Sequence, residues 1–89
     1  MALTGAQIRA ARGLLNLSVA ELASQTGLAI NTIRKAEGTN ELAAVTQASV
    51  TLIRKTLEEA GVHFIDADTL GAGVRFKSPK PKPPQRRRR

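Results

Sequence analysis

Residues 18–37, with the sequence SVAELASQTGLAINTIRKAE, constrain the fold more than any other part of the chain. Ser18 and Glu21 form the pattern of a capping box, in which the hydroxyl accepts a first-turn amide and the carboxylate reaches back to the cap. Gly27 marks the end of this helix, because glycine adopts the left-handed C-terminal conformation without steric cost. Apolar residues at helical spacing lie between these signals, namely Ala20, Leu22 and Ala23.

A second helical run is predicted to begin about two residues after Gly27. Its apolar residues Ile33 and Ala36 are three positions apart, which places them on one side of a helix. Two short helices joined by a glycine turn are the skeleton of a helix-turn-helix. In such motifs the first helix crosses the DNA backbone and the second lies in the major groove. The pattern therefore predicts a DNA-binding element here.

Further helices flank this pair. Thr4 and Gln7 form a second capping-box pattern, so helix 1 is predicted at about residues 5–15. A last helix is predicted from residue 46 or 47 to residue 60, and residues 42–45 are ambiguous, which gives four to five short helices. The predicted helix terminators are Asn16, Gly27 and Gly61. The predicted inward-facing residues of the first and last helices are Ile8, Ala11, Leu15, Val50, Ile53, Leu57 and Ala60.

Two β-rich runs follow the last helix, at residues 62–66 and 74–77, and turn-forming residues separate them. This arrangement predicts a β-hairpin. An isolated two-stranded hairpin is marginally stable in water, so it must either pack on the helices or pair its edge with another copy. We expect the hairpin, with or without the last helix, to be a dimerisation element. Its candidate interface residues, which include both aromatic residues of the chain, are Phe64, Ile65, Val74 and Phe76.

The positive charge is concentrated at the C-terminal end. The formal net charge is +7, yet residues 1–76 hold equal numbers of acidic and basic residues. The excess lies in Lys77, Lys80, Lys82, Arg86, Arg87, Arg88 and Arg89. Because prolines and like charges oppose helix and sheet, residues 78–89 are predicted to form a disordered, extended tail. The tail has three possible roles: contact with DNA phosphates or an A·T-rich minor groove, binding of an acidic protein partner, or a solubilising extension.

Few side chains in this chain are suited to catalysis. There is no Cys, Trp or Tyr, and the single histidine, His63, lies in a predicted strand without clustered carboxylates. Asp66 and Asp68 have the pattern of turn residues. We therefore expect a protein that is not an enzyme and holds neither a metal nor a cofactor. No segment approaches the ~18 consecutive apolar residues of a membrane span, and the N-terminus lacks an apolar leader, so a cytoplasmic location is expected.

Residues 4–37 resemble the helix-turn-helix of the Cro/CI, or xenobiotic-response-element-like, transcriptional regulators. The shared features are the capped helix 1, the opening of helix 2 at Leu17, Ser18, Glu21, Leu22 and Ala23, the turn at Gly27, and the helix 3 pattern of Thr32, Ile33 and Glu37. The hairpin resembles that of a short bacterial subset of these regulators. The resemblance implies a lambda-repressor-like bundle in residues 1–61, followed by the hairpin in residues 62–77 and the tail in residues 78–89.

The resemblance also implies roles for single residues. In the family, an arginine of helix 1 pairs with the glutamate that closes helix 3 and approaches a DNA phosphate; Arg12 and Glu37 occupy these positions. The implied base contacts are Ile30, Asn31, Thr32 and Lys35, with Arg34 beside them. Asparagine suits adenine, lysine suits guanine, and isoleucine suits a thymine methyl. The candidate phosphate contacts are Arg12 and Ser18 and, in the tail, Lys80, Lys82, Arg86, Arg87, Arg88 and Arg89.

Each of these roles has a purely structural alternative. Arg12 and Glu37 are also compatible with an ion pair that only stabilises the fold, and Arg34 with Lys35 is also compatible with a solvated basic face. Two positions depart from the family pattern. Ala29 replaces the usual capping Ser or Thr of helix 3, which raises the alternative that this helix starts at Asn31. Val19 replaces a glutamine that contacts phosphate in many relatives.

The expected function is therefore a sequence-specific regulator of transcription that binds double-stranded DNA and is associated with the nucleoid. We expect a homodimer on an inverted repeat, with recognition helices at about residues 29–37 placed about 34 Å apart. The alternative is a protein-interaction module, either an antitoxin or an anti-activator, that uses the same fold to sequester a protein partner.

Deletion of residues 78–89 tests the role of the tail. We expect the deletion to flatten the slope of log affinity against log salt concentration, because each lost phosphate contact removes about 0.9 from its magnitude. The slope is measured by titrating a DNA duplex with the full chain and with the truncated chain over a salt series. Equal slopes for the two proteins would contradict contact between the tail and the duplex.

Overall fold

The computed structural model describes residues 2–79, so the prediction of a disordered tail and the tail contacts from Lys80 to Arg89 lie outside the described residues. The described part is mainly helical. Its elements are α1 (Gly5–Leu15), α2 (Val19–Thr26), α3 (Ile30–Glu37), α4 (Gln47–Ala60), β1 (Val62–Ile65) and β2 (Gly73–Phe76). The prediction of a small helical bundle followed by an antiparallel hairpin is confirmed. Residues 42–45 form no helix, so the described chain has four helices.

Local sequence signals set the helix boundaries. The capping boxes at Thr4 and Ser18 are both formed, with each hydroxyl accepting from the backbone and each Gln or Glu side chain accepting from the cap. Asn16, with a φ of 59°, and Gly27, with a φ of 79°, lie in the left-handed region just after α1 and α2. Gly61 ends α4 with a φ of 123°. These predicted starts and stops are confirmed.

The helices and the hairpin share one hydrophobic core. Val62 and Phe64 of β1 are 0% and 3% exposed and pack among the buried residues of the helices. The hairpin was expected either to pack on the helices or to pair its edge with another copy, and within one chain it packs on the helices. Leu15 and Ala60 are half-buried at the margin of the bundle. The core consists of Leu3, Ile8, Ala11, Leu22, Ala23, Ile33, Ala36, Val50, Ile53, Leu57, Val62 and Phe64.

One residue of the predicted core of α2 faces solvent. Ala20 is exposed, because it lies two positions from Leu22 and so points to the other side of the helix. The third buried residue of α2, beside Leu22 and Ala23, is Thr26, which the sequence analysis did not predict because threonine is polar. Its hydroxyl donates to the backbone oxygen of Leu22 at 2.9 Å, so its burial leaves no unpaired hydroxyl proton.

The segment before α1 pairs with the loop after α3, which the local sequence did not predict. The amide of Gly5 donates to Glu41 O at 2.9 Å, and the amide of Ala43 donates to Leu3 O at 2.9 Å. Between these bonds Thr4 and Leu42 form an isolated antiparallel bridge. Leu3 is thereby held in the core, 2% exposed. The ambiguous segment is therefore a paired loop that seals one end of the bundle.

The side chain of Gln7 joins α1 to the hairpin. Its Oε1 accepts from the amide of Thr4 at 3.0 Å, which completes the capping box. Its Nε2 donates to Ile65 O at 3.2 Å and to Gly73 O at 2.9 Å. Gln7 is 4% exposed, so these bonds form where water cannot replace them. One buried amide thus positions both strands of the hairpin against the first helix.

Replacement of Gly5 by alanine tests the close approach of α1 to the end of α3. A Cβ at this position would overlap Thr39 O and lie 2.7 Å from Ala36 O, and these backbone oxygens cannot move without shifting α3 or the loop that follows it. We expect Gly5→Ala to lower the free energy of unfolding by about 2 kcal/mol or more. The matched control is Gly13→Ala on the same helix, where a Cβ meets nothing within 4 Å.

The control is expected to raise the free energy of unfolding by about 0.5–1 kcal/mol, because alanine is the better helix former. Urea unfolding followed by circular dichroism measures both variants. Equal effects of the two substitutions would contradict the close approach at Gly5.

Candidate nucleic-acid interface

The helix α3 has one buried face and one exposed face. Its inward residues are Ile33, Ala36 and Glu37. The predicted base contacts Ile30, Asn31, Arg34 and Lys35 are exposed, and Thr32 is half-buried. Within residues 2–79, no side-chain hydrogen bond or ion pair engages Asn31, Arg34 or Lys35. The structure therefore brings four of the five predicted base contacts to one open surface.

The residue at which α3 begins determines which of its side chains are exposed to solvent. Ala29 is the N-cap residue, with extended backbone (φ −67°, ψ 150°), and no side chain caps the helix. The helix nevertheless begins at Ile30 and not at Asn31. The amides of Thr32 and Ile33 donate to Ala29 O at 3.0 and 3.2 Å, so the first turn closes through backbone bonds alone. The alternative of a later start is therefore excluded.

The predicted pair of Arg12 and Glu37 is formed and is bidentate. Arg12 Nε donates to Glu37 Oε2 at 2.5 Å, and Arg12 Nη2 donates to Glu37 Oε1 at 3.0 Å. The side chain of Glu37 is 8% exposed and that of Arg12 is 22% exposed. The hydrogen bond to Glu37 raises the pKa of Arg12, although partial burial opposes the shift. Arg12 is therefore a permanently charged partner of Glu37.

Arg12 also holds the turn between α1 and α2. Its Nη1 donates to Leu17 O at 2.8 Å, immediately before the capping residue Ser18. The predicted phosphate contacts Arg12 and Ser18 therefore lie at the same turn. Ser18 is exposed, and its hydroxyl accepts from the Glu21 amide at 3.0 Å, which leaves its proton available as a donor. A guanidinium held along one edge by a carboxylate is well oriented to donate to a phosphate.

A second arginine of α1 holds the end of α3, and sequence reasoning assigned it no role. Arg9 Nη1 donates to Glu37 O and, at 3.3 Å, to Thr39 O, while Nη2 donates to the side chain of Asn40. A cation at a helix C-terminus is favourable, because the last carbonyl oxygens carry partial negative charge. The only signal in the sequence is that Arg9 lies one turn before Arg12 on the same helix.

Val19, the second departure from the family pattern, has a structural explanation. It is half-buried and packs against the core, so it contributes apolar contact where a glutamine would offer a donor to solvent. The donors present at this end of α2 are therefore the helix-terminus amides and Ser18.

The hairpin residues divide between the core and the surface. Phe64 is 3% exposed, and the guanidinium of Arg54 lies over its ring, 5.3 Å from the centroid. It has almost no surface left for a second copy, contrary to the expectation that it lies in a dimer interface. Ile65, Val74 and Phe76 are half-buried and remain candidates.

Among the described residues we find neither a metal-binding cluster nor a membrane-spanning helix. No group of three or more His, Cys, Asp or Glu residues in this part of the chain is arranged to hold a metal ion. His63 is exposed on β1. Asp68 has the predicted turn role, since its Oδ1 accepts from the Leu70 amide at 2.8 Å. None of the helices in residues 2–79 is both long enough and apolar enough to cross a membrane.

Comparison with protein-family models finds no match to this chain, and a search of curated proteins finds no similar sequence. A proposal for its function therefore depends on the residues of α1, α2 and α3.

The substitution Glu37→Gln tests whether the pair with Arg12 holds α3 in place. We expect it to lower the free energy of unfolding by about 2–3 kcal/mol, because it breaks a bidentate pair whose carboxylate is only 8% exposed, so water cannot replace the lost interaction. The matched control is Glu58→Gln, which breaks the i,i+4 pair with Arg54 at 3.0 Å, where the Glu58 side chain is 35% exposed. That control is expected to cost at most about 0.5 kcal/mol. Thermal unfolding of both variants at one pH measures the difference; similar losses would contradict the role of Glu37.

Proposed function

We propose that this chain is a sequence-specific regulator of transcription that binds double-stranded DNA. In this proposal α2 and α3 form a helix-turn-helix of the Cro/CI type, with α3 in the major groove. The protein acts in the cytoplasm, at the nucleoid, and binds an inverted-repeat operator as a homodimer. The sequence resemblance of residues 4–37 to the Cro/CI regulators supports the same assignment.

The observation that carries the proposal is an exposed row of side chains on an anchored helix. Asn31 and Lys35 are four positions apart, so they lie on one face of α3, and both are exposed without a side-chain partner in residues 2–79. The opposite face is buried, and its last residue is held by Arg12. Had Asn31 and Lys35 been covered by another segment of the chain, a groove-reading role would have been ruled out.

The dimensions of α3 suit the major groove. An α-helix with its side chains is about 10–12 Å across, and the groove is about 12 Å wide. Helix-turn-helix proteins contact base edges mainly with the first residues of the recognition helix. In α3 these positions hold Ile30 and Asn31, and no segment of the described chain covers them.

The exposed residues offer a mixed set of contacts to base edges. Asn31 is suited to a bidentate contact with adenine, and Lys35 to donation to guanine O6 and N7. Ile30 is 42% exposed beside polar neighbours, and its apolar surface is suited to a thymine methyl. Arg34 lies next to this row and serves either a base or a phosphate. Thr32, which is half-buried, contributes through its outer atoms only.

Affinity and specificity come from different parts of the chain in this proposal. Residues 1–76 carry equal numbers of acidic and basic residues, so their general attraction to a polyanion is small. Arg12 and Ser18 position the body on the phosphate backbone, while the charge needed for sequence-independent affinity is concentrated in the tail. Specificity then depends on the few side chains of α3.

Alanine substitution of Asn31 and Lys35 tests the proposal. A binding site is first selected from a random pool of duplexes, which also reports palindromy and half-site spacing. We expect Asn31→Ala and Lys35→Ala each to weaken binding to that site by about 1–3 kcal/mol, because each removes a base contact. The control is Lys55→Ala, which removes one exposed positive charge from α4, away from α3.

The control separates base recognition from general electrostatics, since it changes the net charge as Lys35→Ala does. The affinity for the selected site relative to a scrambled duplex is measured for these three variants and for the double variant of Asn31 and Lys35. If the double variant of Asn31 and Lys35 binds and regulates as the unaltered chain does, α3 does not read DNA, and sequestration of a protein partner becomes the better explanation.

A further inference from the structure

The two outer edges of the hairpin can be told apart by its hydrogen-bond pattern. Strands β1 and β2 pair with Val62 opposite Phe76 and Phe64 opposite Val74. The amide of Lys77 donates to Gly61 O at 3.0 Å. Since bonded and non-bonded pairs alternate along an antiparallel ladder, the bonded pairs are Gly61 with Lys77, His63 with Arg75, and Ile65 with Gly73. The backbone N–H and C=O groups of Val62, Phe64, Val74 and Phe76 therefore point away from the ladder.

Only one of these edges is accessible. Val62 and Phe64 are 0% and 3% exposed, so the outer edge of β1 is closed by the rest of the chain. Val74 and Phe76 on β2 are half-buried, and within residues 2–79 no hydrogen bond uses their outward backbone groups. An unpaired strand edge is a template for pairing with another strand.

We propose that the outer edge of β2 pairs antiparallel with β2 of a second copy of this chain, with Val74 on the two-fold axis. The result is a continuous four-stranded sheet. The inference rests on the homodimer of the proposed function, and it specifies the surface and the register of that dimer. It does not depend on DNA binding.

Charge and strand overlap select this register from the alternatives. Symmetric pairing through the outward groups of β2 has four registers, centred on Gly73, Val74, Arg75 or Phe76. Centring on Gly73 places residues 74–76 opposite residues 70–72 of the loop, so the two strands overlap at Gly73 alone. Centring on Arg75 places two arginines opposite each other, and centring on Phe76 places Arg75 opposite Lys77. Like charges directly opposite one another destabilise a strand pair. Centring on Val74 places Arg75 opposite Gly73 of the second copy, which has no side chain.

The neighbouring residues favour the same arrangement. On the outer face, Ile65 Cδ1 lies 3.9 Å from the point where a Cβ on Gly73 would be, so an apolar surface borders the glycine. The aliphatic part of Arg75 from the second copy has this surface to pack on. The loop between β1 and β2 carries the acidic residues Asp66 and Asp68, whereas the basic residues Arg75 and Lys77 lie toward the opposite end of the hairpin. Antiparallel self-pairing brings the acidic end of each copy toward the basic end of the other.

Disulfide cross-linking tests the register in a chain that has no native cysteine. Gly73 and Arg75 of the second copy form a non-bonded pair in the proposed sheet, with Cα atoms about 4.5 Å apart, which a disulfide can span. We expect oxidation of a mixture of Gly73→Cys and Arg75→Cys chains to yield a covalent heterodimer, and each variant alone to yield much less. Strong cross-linking of Arg75→Cys with itself, or no cross-linking of the mixture, overturns the proposal.

The substitution Val74→Pro tests whether two copies associate through the outer edge of β2 in solution. The amide of Val74 points outward and is unused within the hairpin, so proline there is expected to preserve the fold while blocking pairing. The control Val74→Thr keeps the amide and the β-branched shape. Without DNA, sedimentation velocity is expected to show concentration-dependent dimers for the unaltered chain and the control, and at least about tenfold weaker association for Val74→Pro. A monomeric unaltered chain, or equal association of a folded Val74→Pro chain, overturns the inference while leaving DNA binding to be judged separately.

Discussion

The bidentate ion pair between Arg12 and Glu37 is the interaction on which the arrangement of the described chain depends. It joins the middle of α1 to the last residue of α3, and the third bond of Arg12 reaches Leu17 O in the turn that starts α2. Three helices are therefore tied through one guanidinium. Because Glu37 is almost fully buried, loss of either partner exposes the other to an environment that cannot solvate it.

Helix α1 connects α3 and the hairpin, the two elements that carry the proposed interaction surfaces, through polar side chains. Toward α3 it presents Arg12 and Arg9, and toward the hairpin it presents Gln7, whose amide bonds to both strands. These hydrogen bonds end on backbone carbonyls or on a buried carboxylate. They therefore fix the positions of α3 and of the hairpin relative to α1. The exposed row of α3 and the open edge of β2 thus share a common rigid support, so pairing of two copies would also set the relation between two α3 helices.

The proposed division of labour follows from where the charges lie. In the proposed function, residues 1–76 have balanced charge and little general attraction to DNA, so base contacts from α3 are not masked by strong non-specific binding. The same proposal assigns the general attraction to the cationic tail. Like-charge repulsion matters at β2, where Arg75 and Lys77 disfavour the symmetric registers centred on Arg75 and Phe76 relative to the one centred on Val74.

The sequence by itself determined local features, namely both capping boxes, the left-handed residues Asn16 and Gly27 and the bounds of α1 and α2, because these follow from short-range chemistry. The pairing of Arg12 with Glu37 is implied by the family resemblance, and the sequence leaves the start of α3 open. Tertiary structure alone decided which residues those elements meet. Three features join positions that are far apart in the chain: the β-bridge of Thr4 to Leu42, the two hydrogen bonds from Gln7 to the hairpin, and the burial of Phe64. Local patterns carry no information on such contacts, since they form only when the helices have packed.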